Sequence, residues 1–265
     1  MDLGIKGKRA LVTGASLGIG RAVADELARE GCDVAMVART EDTLRKAADD
    51  IARASGRRVV AVPADASVPE AVAEAVAQAT QALGGPIEIL VNNAGSTPED
   101  GIDRLDFAKW QYSVALKQFG YARFAQLVLP AMRAQKWGRI VNVIGRSGHQ
   151  PRPVYLAGGS VNAGLLSFTK GLAEDCAKDN VLVTGVNPGP IDTPRWQSLR
   201  EAAVRTRGVT AEQYDGRAIA GVPLGRIGTS EECAAVIVFL CSARASFVTG
   251  EIVNIDGGGT RCIGA

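Results

Sequence analysis

The chain is 265 residues long, 46% hydrophobic and 22% charged, with 30 basic against 28 acidic side chains and a formal net charge of +2. A balance so close to neutral offers no electrostatic footprint for nucleic acid. The lack of a Gly-X-Y period or a long polar tract excludes collagen-like and disordered classes. The five cysteines (Cys32, Cys176, Cys233, Cys241, Cys262) form no Cys-x-x-Cys pair and His149 is the only histidine, so no metal site is expected and a cytoplasmic, reducing location is. No apolar run is long enough to span a bilayer, and the first residues run almost at once into a strand, so neither a membrane nor a targeting segment is expected.

In chain order, short apolar or β-branched runs at 9–13, 33–37, 58–62, 88–91, 138–144, 181–186 and 252–255 predict strands. Alanine-rich amphipathic stretches near 19–30, 41–55, 69–83, 103–134, 155–177 and 230–242 predict helices between them. Continuous apolar strands separated by crossover-length helices imply an α/β fold: one doubly wound parallel sheet, about seven strands, with helices on both faces. Its ligand cleft belongs at the C-terminal ends of the strands. No repeat or Gly/Ser-rich linker divides the chain, so 1–265 reads as one domain. The charge-rich stretch 188–228, which contains Trp196 and Tyr214, reads as irregular, and a segment that long is expected to form a lid near 190–228.

The first strand leads into Thr13-Gly14-Ala15-Ser16-Leu17-Gly18-Ile19-Gly20 and then a helix. Glycines here allow a tight exit from the strand, close approach of backbone to a pyrophosphate, and close helix–sheet packing. The helix N-terminus adds free N–H groups and partial positive charge. Gly14, Ser16, Gly18, Ile19 and Gly20 are therefore candidate dinucleotide contacts.

Together with Asn92-Asn93-Ala94-Gly95, Pro188-Gly189-Pro190-Ile191-Asp192-Thr193 and the C-terminal Thr249-Gly250 and Asp256-Gly257-Gly258, this turn resembles the short-chain dehydrogenase/reductase family. The resemblance spans essentially the whole chain and is nearest the 3-oxoacyl-carrier-protein reductase type. It implies a Rossmann-like fold and a nicotinamide cofactor. It further implies Asp65 at the adenine, Asn92, Ala94 and Gly95 at the adenosine ribose, and Asn162 at the nicotinamide ribose. Pro188, Gly189, Ile191 and Thr193 would cup the nicotinamide end. NAD-binding members carry an acidic residue at the end of the second strand, where this chain has Ala38 followed by Arg39. With no carboxylate to repel a 2′-phosphate and a guanidinium to grip it, NADP is expected and NAD is less favoured.

The family's catalytic Ser, Tyr and Lys align without a gap onto Gly145, Gly158 and Asn162, and its Asn, read seven residues after Trp110, falls on Lys117. Glycine carries no proton and asparagine no charge, so the usual phenol–ammonium pair is missing at its usual positions. Two substitutes present themselves. Tyr155 shares a helical face with positions 158 and 162, although the N-terminal lean of helical side chains would carry its hydroxyl away from Gly158. Lys117 could reach into the space left by glycines 145 and 158 and, once desolvated, donate a proton or form a Schiff base; the alternative is a lysine reaching out to solvent.

Arg146, His149, Arg152, Arg195 and Arg200 follow the fifth and sixth strands and would suit an anionic small molecule: a carboxylate, phosphate or coenzyme A thioester. Three functions remain open. They are an NADP-dependent oxidoreductase with a non-standard proton donor, a non-redox enzyme built on Lys117, and a nucleotide-binding partner or regulatory protein without turnover. The family resemblance also implies a homodimer or homotetramer formed through the helices in 103–134 and 155–177.

Overall fold

A computed structural model describes residues 2–261, without the side chains of residues 206 and 207; Cys262 lies outside the described residues. The strands are β1 (Arg9–Thr13), β2 (Asp33–Ala38), β3 (Val59–Pro63), β4 (Ile89–Asn92), β5 (Gly138–Val143), β6 (Val181–Pro188) and β7 (Ile252–Ile255). They form a single seven-stranded sheet in the order β3-β2-β1-β4-β5-β6-β7, and every paired neighbour runs parallel. The order reverses between β1 and β4, which opens a crevice beyond their C-terminal ends.

Helices α1 (Gly18–Arg29), α2 (Glu41–Ser55), α3 (Pro69–Leu83), α4 (Phe107–Ser113), α5 (Gly120–Ala134), α6 (Leu156–Ala177), α7 (Pro194–Arg207), α8 (Ala211–Ile219) and α9 (Ser230–Leu240) complete the chain. Because strand side chains alternate faces, each strand feeds two cores. Val12, Met36 and Val91 pack with Val23, Leu44 and Ile237 of α1, α2 and α9. Leu11, Val37 and Leu90 pack with Val72, Phe124 and Cys176 of α3, α5 and α6. Burying both faces explains why the strands read as unbroken apolar runs.

Two expectations change. The stretch 103–134 is not one helix: a π-helical turn, Val114–Phe119, separates α4 from α5. The stretch 188–228 is not irregular either, since it holds α7 and α8. Thr193 caps α7 by accepting from Trp196 N, with Pro194 in the first turn, and Thr210 and Gln213 form a capping box at α8. Charged side chains interrupt both helices and α8 buries none of its residues, so no broad apolar stripe marks them. Among the described residues no helix is long and apolar enough to cross a membrane.

Candidate active site

The glycine turn stands at the crevice. Gly14 and Gly18 adopt φ of +63° and +56°, the left-handed region that glycine enters without strain. No side chain caps the N-terminus of α1 and no acidic residue occupies its first turn, so the helix keeps its N–H donors and positive end for a ligand. Gly14, Ser16, Arg39, Ala94 and Gly95 line a cavity of about 160 Å³ beside this turn. Asn93 secures the opposite wall: its Nδ2 donates to Thr13 O (3.0 Å) and Gly14 O (3.1 Å). Arg39 sits on the cavity wall and donates from Nη1 to the Tyr112 hydroxyl at 2.6 Å.

Some expected contacts have other work. Asn92 is fully buried behind the cavity, where its Nδ2 donates to Asn142 Oδ1 (3.0 Å) and Tyr121 O (3.3 Å). It ties β4 to β5 and lies outside the lining of the cavity. Asp65 accepts from Ser67 N (2.9 Å) and Ser67 Oγ (2.7 Å), although its neighbours Ala64 and Ala66 do line the cavity. Ile191 is buried and bridges to Gly228. Thr193 lies over the phosphate turn: a β-carbon at Gly18 would stand 3.2 Å from its Cγ2. Ile19 and Gly20 are in the first turn of α1.

A second cleft, about 380 Å³, opens at the ends of β5 and β6 and is lined by Gly145, Ser147, Tyr155, Asn162, Pro188 and Gly189 among others. Gly145 holds φ +120°, and its N–H donates to Asn187 Oδ1 at 3.2 Å. A β-carbon there would be strained and would also come within 3.0 Å of Asn162 Nδ2.

Tyr155 occupies the space that Gly158 leaves open. A β-carbon at position 158 would lie 2.0 Å from its Cε1 and 2.1 Å from its Cζ. The expectation that the ring leans away fails because Tyr155 is the residue before α6, with φ −142° and ψ 44°, and so escapes the helical side-chain direction.

Lys117 lies in the π-helical turn, a distortion often found at functional sites. Its Cδ would be 3.5 Å from a β-carbon on Gly95, and its Nζ donates to Ile144 O (2.5 Å) and Asn162 Oδ1 (2.8 Å). The reading of a lysine reaching into solvent therefore does not hold. Both acceptors are neutral, so nothing compensates the ammonium's loss of hydration. Burial, with a smaller contribution from the Arg195 guanidinium, brings its pKa from 10.5 down to about 7. Asn162 in turn donates from Nδ2 to Ser147 Oγ at 2.7 Å.

The cleft's arginines divide into two groups. Arg152 is paired with Glu99 (3.1 Å), and Arg195 donates to Thr97 O (2.9 Å). Arg200, which does not line the cleft, is held by Asp215 (2.8 Å). Arg146 and Arg217 line the cleft with no ion-pair partner among the described residues. His149 stands outside its lining, its Nε2 buried without a partner among the described residues. Trp196 and Tyr214 meet at a tilt of 55° with ring centroids 5.2 Å apart, and Trp196 Nε1 donates to Asp215 Oδ1 (2.9 Å), which ties α7 to α8 over the cleft. Among the described residues no group of three or more His, Cys, Asp or Glu side chains could hold a metal. Sequence reasoning missed Ser147 because only the Asn162 side chain, distant in the chain, connects it to Lys117.

The short chain dehydrogenase family pattern matches residues 8–204. The chain belongs to the short-chain dehydrogenase family. It is 35% identical over 261 residues to a 3-oxoacyl-(acyl-carrier-protein) reductase of Aquifex aeolicus, covering 97% of this chain and 99% of that protein. Among solved structures it is similar to the L-sorbose reductase of Gluconobacter frateurii complexed with NADPH and L-sorbose. The TM-score there is 0.94 and the identity 35%, over 99% of this chain and 100% of that one. An NADPH-dependent reductase involved in bacilysin biosynthesis follows at TM-score 0.90 and 26% identity, covering 97% of this chain and 100% of that one.

Proposed function

We propose that this short-chain dehydrogenase is an NADP-dependent oxidoreductase that interconverts a carbonyl and an alcohol, with Lys117 and Tyr155 serving the reacting oxygen. The observation that carries this reading is the placement of Lys117. Its stem runs beside Gly95 in the wall of the phosphate-side cavity, and its ammonium rests on Ile144 and Asn162 in the wall of the second cleft. One side chain thus runs from the wall of one compartment to the wall of the other. A nicotinamide bound across them supplies or accepts the hydride.

The chain must add a proton and support for charge on oxygen. An ammonium brought down to about 7 exchanges its proton near neutrality, and the Tyr155 phenol faces the same cleft. The uncapped N-terminus of α1 fits a pyrophosphate. Arg39, with Ala38 in place of a carboxylate, favours the 2′-phosphate of NADP over NAD, and two similar solved proteins are described with NADPH. Arg146 and Arg217 favour an anionic substrate such as a carboxylate, a phosphate or a coenzyme A thioester. The four described cysteines are buried and free, which fits a reducing cytoplasm. The remaining feature is a homodimer or homotetramer formed through α5 and α6.

The near-neutral buried amine of Lys117 also supports a second reading, Schiff-base chemistry without redox turnover. One experiment separates the two. Titration with NADPH and then NADH, followed by nicotinamide fluorescence, is expected to show saturable binding with NADPH preferred. Carbonyl substrates that turn over should then lose turnover in Lys117→Met. Absence of binding to either nucleotide overturns the oxidoreductase reading. A borohydride-trapped adduct on Lys117, seen by mass spectrometry, would establish the other.

A further inference from the structure

Three side chains from three separate elements form a chain of hydrogen bonds whose direction is set by chemistry. An ammonium has no lone pair, so Lys117 Nζ can only donate, and it does so to Asn162 Oδ1 at 2.8 Å. The carboxamide must therefore turn its NH₂ the other way, where Nδ2 donates to Ser147 Oγ at 2.7 Å. That leaves Ser147 with a hydroxyl proton for which no acceptor exists among the described residues. Ser147 is 7% exposed, belongs to the turn Arg146–Gly148 that follows β5, and lines the same cleft as Tyr155. A buried hydroxyl with a forced lone-pair contact and an unspent proton needs an acceptor oxygen.

We infer that Ser147 is a catalytic residue whose Oγ–H holds the carbonyl or alkoxide oxygen of the substrate, with Asn162 as the positioning residue that fixes its direction. This rests on the oxidoreductase reading for the reaction, but the contact itself is a binding event. The positive charge on Lys117 polarises the amide between them, so the terminal O–H is a stronger donor than an isolated serine. A carbonyl oxygen that gains charge during reduction is thus met by a donor already aimed at it. Gly145, lacking a side chain and held by Asn187, leaves the approach to Ser147 clear. The unpaired Arg146 and Arg217 in the same cleft select for a substrate that also carries an anionic group, so a small oxoacid is the fitting probe.

The test uses the full chain saturated with NADP⁺, which permits no reduction, and [3-¹³C]acetoacetate observed by ¹³C NMR. Donation from Ser147 is expected to move the bound ketone carbon downfield of the free signal. Ser147→Ala should abolish that displacement and weaken binding by roughly tenfold, the equivalent of one hydrogen bond to a charged partner. Asn162→Asp is the sharper variant because it keeps the shape but offers only acceptors. It should turn the Ser147 proton inward and abolish the displacement as well. A merely structural role for Asn162 would not move the ketone signal. An undisplaced ketone carbon in the parent protein, a displacement that survives Ser147→Ala, or no saturable ketone signal in the parent overturns the proposal. A separate titration of the ketone-free protein with NADPH, followed by nicotinamide fluorescence, reads the redox proposal independently.

Discussion

At the scale of single residues, a phenol, a hydroxyl and a carboxamide line the cleft, and the carboxamide carries an ammonium behind it. Gly145 is held at φ +120°, so Gly145→Ser should not be neutral. Strain of about 1–3 kcal/mol is expected there, which in a chain this long lowers Tm by roughly 2–10 °C in a thermal scan. An unchanged Tm would mean that the turn relaxes freely. Lys117 is expected to show itself through pH. Its folded-state pKa of about 7 lies below the ordinary 10.5, so between those values the unfolded chain binds more protons. Stability contributed at this site therefore rises as pH increases from about 7 toward 10.5, by at most about 1.4 kcal/mol per pH unit. Urea unfolding of the parent and of Lys117→Met across that range should show the rise in the difference between them. Parallel curves would place the amine in water. Lys117 could be picked out because it stands where the resemblance calls for an asparagine, and Tyr155 because it lies three residues before Gly158, where the resemblance calls for a tyrosine. Ser147 could not, since its role depends on a carboxamide fifteen residues away turning toward it.

At the scale of elements, what was legible depended on whether burial left a mark on the sequence. The inner strands face helices on both sides, so 9–13 stands out as an apolar run and matches β1 residue for residue, while the edge strand β7 matches 252–255 through its three branched residues. Helices α2 and α3 were equally readable, α3 helped by Pro69 at its first position. The π-helical turn at Val114–Phe119 was not legible, because no residue type in that stretch marks a widened turn the way Pro or Gly marks a helix end. Yet that turn carries Lys117 toward Ile144, so the element hardest to see is the one that aims the ammonium. Helices α7 and α8 hid for another reason. They hold together through Trp196, Asp215 and Arg200, and such polar and aromatic ties have no periodicity. The caps at Thr193 and Thr210 were the available signals, and each needed to be read as a helix start rather than as one more polar residue in a loop.

At the scale of the whole molecule, the doubly wound parallel sheet followed from the alternation of strands and helices, but assembly leaves a different kind of trace. The face made by α5 and α6 is apolar at its centre, with Leu129, Phe168 and Leu172 around a depression and Phe119 51% exposed at its edge. Its rim carries both signs of charge: Arg123 and Arg133 stand near Asp175, and Arg133 already pairs with Asp175 at 2.5 Å. A surface with an apolar centre and a rim of both charges can meet its own copy about a two-fold axis, since Arg123 of each copy can then face Asp175 of the other. The same face comes from the helices that flank Lys117 and Asn162, so pairing there would stiffen the scaffold of the cleft without covering its mouth. Light scattering on the purified protein is expected to give two or four times the mass of one chain. Leu172→Asp sets an unpaired carboxylate in the centre of that face, and should reduce the mass to a single chain while far-ultraviolet circular dichroism keeps its helical signal. A parent protein that is already monomeric would remove the pairing, as would a Leu172→Asp variant whose mass does not change. Because α6 also supplies Asn162, the monomeric variant should lose nicotinamide binding less than it loses turnover.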